Sequence, residues 1–314
     1  MEITTNLPIG DWYRNTSSND LLYWGLDYPP LTAYHSYLCG FLGNIFDPTI
    51  FELNTSRGYE SVGEKHFMRC TVQCSDLVVL VPSILLLVHK LLNLESNMIS
   101  HVLVLLFCFL QPGLLLIDHG HFQYNGVCIG LALLASYSIS EGRDVIGSIL
   151  FCLSLNFKQM SLYYALIFFF CLLRKCFDSS DKLSLQILQV AKLGSAVIGT
   201  FAVLWLPFCI WRNENETCIS SLLHVLQRQF PFTRGIFEDK VSNIWYSVSV
   251  VTDIRQILTT NQLILCSLLL TFTLSLPVCV DLLRNKFSLR RFLLALTNGS
   301  LAFFLASYQV RSSL

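Results

Sequence analysis

The stretch LILCSLLLTFTLSLPVCV, residues 263–280, contains no charged side chain, and it decides the class of the fold. It belongs to an apolar run over about 262–283, and roughly 20 such residues let an α-helix cross a hydrocarbon core. Other runs of this kind occur at about 75–94, 99–117, 190–211 and 290–308. Three shorter runs lie near 124–140, 145–157 and 161–174. Because helices satisfy their own backbone hydrogen bonds in lipid, these eight candidate spans predict an all-α membrane protein.

The composition also indicates a membrane protein. Hydrophobic residues make up 53% of the 314 residues, and charged residues make up 13%. Soluble domains carry about 25% charged residues, so much of this surface is expected to contact membrane lipids. The 21 basic and 21 acidic residues cancel, and a chain without net positive charge has no field that attracts nucleic acid.

The charge of the short loops predicts the side of the membrane that each loop faces. Basic residues occur in alternate loops, at 141–144, 174–182 and 284–291, whereas the loops at 118–123 and 156–160 share one lysine. Short basic loops stay in the cytoplasm, so the other loops are predicted to be lumenal. The chain then divides into a lumenal loop over 1–73, transmembrane helices over 74–211, a lumenal loop over 212–261 and transmembrane helices over 262–314.

The first lumenal segment contains apolar residues at helical spacing. They are Leu31, Tyr34, Leu38, Phe41, Leu42 and Ile45. The run is too short to span a bilayer, and it predicts an amphipathic helix that lies in the membrane interface.

The twelve cysteines predict neither a metal cluster nor a disulfide framework. The chain has no C-x-x-C pair, and most cysteines, Cys209 among them, lie in apolar runs, where a thiol acts as a small hydrophobe. A single bridge among Cys39, Cys70 and Cys218 remains open.

The segment Tyr23-Trp24-Gly25-Leu26-Asp27-Tyr28-Pro29-Pro30 is the first of four polar clusters on the predicted lumenal side. Its two prolines keep the backbone around Asp27 extended. Asp27 is therefore a candidate catalytic acid, and Trp24 and Tyr28 are candidate substrate contacts. The alternative is a rigid turn with a solvated aspartate.

The second cluster lies between two spans, where polar groups are costly unless they pair or function. It contains Asp118, His119, His121, Gln123 and Asn125. These side chains suit the binding of a phosphate or of sugar hydroxyls, with Asp118 as a second candidate acid. A His-x-His metal site and an interfacial aromatic belt are the alternatives.

The other two clusters bring cations to the same side. Lys158 and Gln159 follow a predicted span, where the lysine either offsets a phosphate charge or extends from a helix end toward water. The segment 230–245 mixes both charge signs with aromatic residues and suits binding of sugars and phosphate, or else forms an interfacial helix. Its candidate binding residues are Arg234, Glu238, Asp239 and Lys240.

Through these motifs the chain resembles the GT-C glucosyltransferases that use dolichyl phosphate glucose in the endoplasmic reticulum. The matching runs occur in the family's order along nearly the whole chain, at Leu22–His35, Thr55–Ser61, Gly120–Asn125, Asn156–Gln159 and Arg234–Lys240. Tyr23-Trp24-Gly25 favours the branch that adds the first α-1,3-glucose to the lipid-linked oligosaccharide over the branch that adds the second.

The resemblance implies a GT-C-like multi-pass helical bundle with lumenal loops, interfacial helices and a lumenal catalytic face. It also implies an inverting transfer from dolichyl phosphate glucose to the dolichol-linked high-mannose oligosaccharide. A carboxylate base removes the proton of the attacking mannose hydroxyl, while cations and hydrogen-bond donors stabilise the departing phosphate. The resemblance implies no cofactor or metal, and the sequence identifies no protein partner.

Two departures from the family pattern bear on the site. In the family, an acidic motif with the usual candidate base precedes the position of Met1, and a His-Glu-Lys run follows that of Val310. We therefore expect a chain shortened at both ends, with Asp27 and Asp118 as the remaining catalytic candidates. A catalytically inactive fragment and a multi-pass transporter are the alternatives, although polar clusters on one side favour a membrane-surface enzyme.

Overall fold

The computed structural model describes residues 1–92, 98–214, 216–230, 243–252 and 254–306, without the side chains of Trp24, Arg255, Gln256 and Thr260. The regular secondary structure of these residues is helical. The α-helices are α1 (Glu2–Asn6), α2 (Leu21–Trp24), α3 (Pro30–Phe46), α4 (Val62–Ser75), α5 (Val81–Leu92), α6 (Met98–Phe109), α7 (Asn125–Ser140), α8 (Asp144–Phe157), α9 (Leu162–Asp178), α10 (Leu183–Ile210), α11 (Cys218–Gln229), α12 (Ile244–Val251), α13 (Ile254–Ile257), α14 (Thr260–Arg284) and α15 (Leu289–Ala306). The described residues also form short 3₁₀ turns at Ile9–Asp11, Pro48–Phe51 and Gln159–Ser161, and π-helical segments at Asp76–Leu80 and Leu114–His119.

Five helical segments within the described ranges are long and apolar enough to cross a membrane. They are Val62–Leu92, Gln159–Asp178, Leu183–Ile210, Asn261–Arg284 and Leu289–Ala306. The helices α6, α7 and α8 are apolar but shorter. The predicted class, a multi-pass all-α membrane protein, is confirmed.

The lengths of some spans differ from the prediction. The run over 99–117 is not one helix, because α6 ends at Phe109 and Pro112 has no amide hydrogen to continue it. A π-helical segment, Leu114–His119, follows instead. Conversely, the run near 161–174 lies in a helical segment, Gln159–Asp178, that has a spanning length.

The first long helical segment begins well before the predicted boundary at residue 73. Ser61 forms a capping box with Glu64: the Ser61 hydroxyl accepts from the Glu64 amide at 3.0 Å, and a Glu64 carboxylate oxygen accepts from the Ser61 amide at 3.3 Å. Because these bonds satisfy backbone donors at the helix start, α4 begins at Val62 and continues through the π-helical segment into α5.

The chain divides into two compact units. The first unit comprises Met1–Ser161 and Leu193–Gln229, and the second comprises Leu162–Lys192 and Phe230–Leu314. In the second unit α9, α14 and α15 pack together. Phe168 and Phe292 meet edge to face there, with ring centroids 5.1 Å apart.

The first unit carries the polar clusters described below, and its N-terminal segment is anchored by an aromatic cluster. Trp12 and Tyr13 are buried against Phe208 of α10 and Val225 of α11. The Tyr13 and Phe208 rings lie 5.4 Å apart. This cluster fixes the segment before the first motif to the end of a spanning helix.

A disulfide closes the connection between α10 and α11. It joins Cys209 to Cys218, whereas Cys39 and Cys70 are free. The interpretation of Cys209 as a small hydrophobe is wrong, because its sulfur, in the last turn of α10, is bonded to that of Cys218. The bridge that the sequence left open therefore pairs Cys218 with a cysteine that was not considered.

The predicted amphipathic helix is present as α3. Ala33, Gly40 and Gly43 are buried on one face, and α3 packs there against α1. The other face exposes large apolar side chains, which are Tyr37, Leu38, Phe41, Leu42, Ile45 and Phe46. Its position in a membrane interface remains a prediction.

Candidate functional site

Three of the four polar clusters meet in the first unit. The ammonium of Lys158 lies 5.5 Å from the centre of the Tyr28 ring and donates to Gln123 Oε1 at 2.9 Å. Thr32, just after the motif, donates to the carbonyl of Phe157. Residues from three distant parts of the sequence are therefore in direct contact.

Asp118 lies at the centre of a polar network of Asp118, Gln123, Asn125 and Lys158, which we call the buried network because its two charged residues are buried. The Asp118 side chain accepts from Asn125 Nδ2 at 2.6 Å and from the backbone amide of Gly126 at 2.7 Å. Asp118 is 1% exposed. Burial raises the pKa of Asp118, while the two hydrogen bonds and the charge of Lys158 oppose that rise. Since Gly126 belongs to the first turn of α7, the carboxylate also satisfies a free amide at a helix start.

Lys158 joins this network from the end of α8. Its ammonium donates to Asn125 Oδ1 at 2.6 Å as well as to Gln123, and the residue is 7% exposed. Burial lowers the pKa of Lys158, and the charge of Asp118 opposes that effect. The side chain is directed inward, so it does not extend toward water from the helix end. Two of its three donors are occupied by amide oxygens.

The remaining predicted residues of these clusters have different surroundings. His119 Nε2 lies 2.8 Å from Asp76 Oδ2, so this histidine pairs with an acid that the sequence patterns did not single out. His121 is exposed, and Gln159 is half-buried in a 3₁₀ turn. In the part of the chain that the structure describes, no three His, Cys, Asp or Glu side chains are grouped to hold a metal ion.

Asp76 lies within the first spanning segment, where an acid is easily overlooked among apolar neighbours. Its carboxylate occupies the space beside Gly126, and a Cβ atom at Gly126 would collide with it. The only sequence signal was an isolated acid in an apolar run, and such acids in membrane helices are usually paired or functional.

The motif segment, Tyr23–Pro30, is held by residues from outside it. The guanidinium of Arg228, on α11, pairs with the Asp27 carboxylate, and Arg228 Nε donates to the carbonyl of Leu26 at 3.2 Å. The hydroxyl of Tyr13 donates to the carbonyl of Tyr28 at 2.6 Å. Arg228 was not predicted, although a buried arginine requires a partner.

A cavity of about 410 Å³ opens beside the motif segment. Its walls include Asp27, Tyr28, Glu2, Arg57 and Glu64. Arg57 Nε lies 3.1 Å from Glu2 Oε1, which also accepts from the backbone amide of Asn54 at 2.8 Å. The cavity therefore combines acids, a guanidinium and an aromatic ring, which are groups that bind sugar hydroxyls and sugar faces.

Some predicted residues fall outside the described part of the chain. Arg234, Glu238, Asp239 and Lys240 lie in the segment 231–242, and the side chain of Trp24 is likewise not described.

Comparison with known proteins identifies relatives along the whole chain. The model of the ALG6, ALG8 glycosyltransferase family matches residues 1–312. The dolichyl pyrophosphate Man9GlcNAc2 alpha-1,3-glucosyltransferase of Gallus gallus is 47% identical over 309 residues, which are 98% of this chain and 59% of that protein. Proteins named as probable enzymes of the same type are 46% identical in Dictyostelium discoideum and 41% identical in Schizosaccharomyces pombe, each over 99% of this chain. The chain spans 59% of the length of all three relatives.

Proposed function

The chain belongs to the ALG6, ALG8 glycosyltransferase family, and we propose on that premise that it forms the sugar-binding part of an α-1,3-glucosyltransferase. The proposed reaction moves glucose from dolichyl phosphate glucose to a dolichol-linked high-mannose oligosaccharide and adds its first glucose. The relatives' printed names support the type of linkage and the acceptor. The donor follows from the family resemblance of the motif segment.

The cavity beside the motif segment is the observation that carries this proposal. Its volume of about 410 Å³ lies in the range of about 300–1,000 Å³ that small-molecule sites occupy. Asp27 and Glu64 supply carboxylates that accept hydrogen bonds from sugar hydroxyls, and Tyr28 supplies a ring at the same wall. A hexose needs such donors and acceptors on several sides.

The chemistry proposed for this cavity is an inverting displacement. A mannose hydroxyl of the acceptor attacks the anomeric carbon of the β-linked glucosyl phosphate, and the bond from that carbon to the phosphate oxygen breaks. The lipid phosphate leaves with the electron pair, and a carboxylate accepts the hydroxyl proton. Asp27 is the described acid best placed for contact with the sugar, because its side chain is 49% exposed at the cavity wall.

We propose that the protein acts in the endoplasmic reticulum membrane, with this cavity on the lumenal side. The multi-pass helices support a membrane location, and the charge of the short loops predicts that the motif segment is lumenal. The segment with Arg234, Glu238, Asp239 and Lys240 is proposed to bind the donor phosphate and further sugars, on the basis of the family resemblance.

Complementation of cells that lack the first glucosylation step tests the function. Three proteins are compared: this chain, a chimera in which it replaces the segment that it matches in the Gallus gallus relative, and that relative itself. We expect the chimera to add one hexose to the lipid-linked oligosaccharide, measured by chromatography of the released glycans. A chimera that is expressed as well as the relative but adds no hexose would contradict the proposal.

A further inference from the structure

A buried arginine from a distant helix touches both the backbone and the side chain of the motif segment. Arg228 lies 202 residues after Leu26, donates to its carbonyl at 3.2 Å and pairs with the Asp27 carboxylate. The Arg228 side chain is 9% exposed, whereas that of Asp27 is 49% exposed. The cation is therefore enclosed, and the acid that it contacts faces the cavity.

The helix that carries Arg228 is itself rigidly attached. At its start the disulfide ties Cys218 to Cys209. In its middle, Val225 is buried in the aromatic cluster with Trp12 and Phe208. Before its first turn, Glu216 lies 2.9 Å from the guanidinium of Arg14. An arginine on such a helix has a fixed position. It therefore also holds in place the Leu26 carbonyl and the Asp27 carboxylate that it contacts.

Gly25 of the motif segment has a specific reason to be glycine. A Cβ atom at this position would collide with the guanidinium of Arg228 and would lie 2.8 Å from the Leu21 Cα atom and 2.9 Å from the Leu21 carbonyl oxygen. The missing side chain lets the arginine cross the backbone and reach Asp27. The contact of Arg228 with Asp27 therefore depends on the absence of a side chain at Gly25, although the two residues are far apart in the sequence.

We infer that Arg228 is a positioning residue that holds the Asp27 carboxylate at the cavity wall for the transfer reaction. This inference rests on the proposed function. Arg228 does not need to touch the sugar, because its guanidinium fixes the acid and the adjoining carbonyl at once. A planar guanidinium offers several donors in a fixed geometry, which a lysine does not reproduce.

The test compares variants of the chimera in steady-state transfer. Displacement of a reacting or binding group by about 1 Å can reduce a rate about 100-fold, so Arg228→Met is expected to reduce kcat/KM by about that factor, mainly through kcat. Arg228→Lys is expected to be about tenfold more active than Arg228→Met, since lysine restores the positive charge but not the planar set of donors of a guanidinium. Gly25→Ala is expected to resemble Arg228→Met, because it displaces the same guanidinium.

A double substitution separates positioning from simple stability. Asp27→Asn combined with Arg228→Met is expected to be no worse than the more damaging single substitution, because both act on one contact. Arg291→Met serves as the matched control, since it removes an exposed arginine that pairs with the exposed Asp281. The control is expected to transfer glucose at the rate of the unmodified chimera.

The outcomes distinguish this inference from the proposed function. If the unmodified chimera transfers no glucose, the proposed function fails. If it transfers glucose and Arg228→Met keeps its kcat/KM, or if the two single losses multiply in the double variant, the positioning role is wrong. Should Arg228→Met fail to fold, Arg228→Lys decides: kcat/KM equal to that of the unmodified chimera overturns the inference, and a selective fall in kcat supports it.

Discussion

The motif segment and the buried network each contain a central aspartate, and the two aspartates differ in their exposure. Asp27 is half exposed at the wall of a cavity, with an enclosed arginine behind it. Asp118 is enclosed, and amide groups and a lysine surround it. An acid that handles substrate must be accessible to it. The comparison therefore favours Asp27 for contact with the sugar and Asp118 for support of the loops.

The largest expected effect comes from neutralising the exposed acid. Asp27→Asn keeps the size of the side chain but cannot take a proton, and loss of a general base or of a similar charged contact lowers rates by about 100-fold or more. We expect kcat/KM of the chimera to fall by about 100-fold while its thermal unfolding temperature changes little. Unchanged transfer would reduce Asp27 to a structural role and would remove the contrast with Asp118.

The second prediction concerns the lysine of the buried network. Lys158→Met leaves Gln123 Oε1 and Asn125 Oδ1 without the donor that they share. An unsatisfied buried polar group costs about 1–3 kcal/mol; because Gln123 and Asn125 are half-buried, we expect a total loss of about 1–2 kcal/mol and a lower unfolding temperature. Lys182→Met, which changes an exposed loop lysine, is the matched control. Equal unfolding temperatures in both variants would show that the network does not support the fold.

The smallest expected effect is a change in how the stability of the folded state depends on pH. Burial raises the pKa of Asp118, so the folded state holds its proton at a higher pH than the unfolded state does. Its contribution to stability is then fully present below the unfolded pKa of about 3.9 and is lost as the pH rises through the folded pKa. Between about pH 4 and 7, the stability of the wild-type protein should therefore fall more steeply than that of Asp118→Asn.

Thermal unfolding of the two proteins in the same buffers measures this difference, since all other titrating groups are shared. The lowered pKa of Lys158 has the opposite effect at alkaline pH. Its contribution makes the stability of the folded state rise as the pH approaches about 10.4, the pKa of lysine in the unfolded chain. Parallel curves between pH 4 and 7 would contradict the assignment of Asp118 as a buried, structurally constrained acid.

The sequence predicts the class of this fold well, because apolar composition alone determines which helices are long enough to span. It also predicts the motif clusters, since loop charge assigns them to one side of the membrane, and three clusters do meet within the first unit. Helix ends were less predictable. Pro112 breaks a run that composition treats as continuous, and the Ser61–Glu64 capping box starts a helix before its apolar part.

The pairings between clusters could not be predicted from one sequence. The contact of Arg228 with Leu26 and Asp27 depends on how α11 packs on the aromatic cluster. The local sequence around either contact does not predict that packing. The pairing of Asp76 with His119 has the same character, because the two residues come from separate helical segments. Long-range pairs of this kind decide which acids face the cavity and which are buried.

The bridge between Cys209 and Cys218 also connects the site to the chemistry of its compartment. Disulfides persist in oxidising compartments and are rare where glutathione keeps thiols reduced. The helix that positions Arg228 thus begins at a bond that an oxidising compartment preserves. Reduction of this bond would remove one of the attachments that hold the start of α11, and with it Arg228, beside the motif segment.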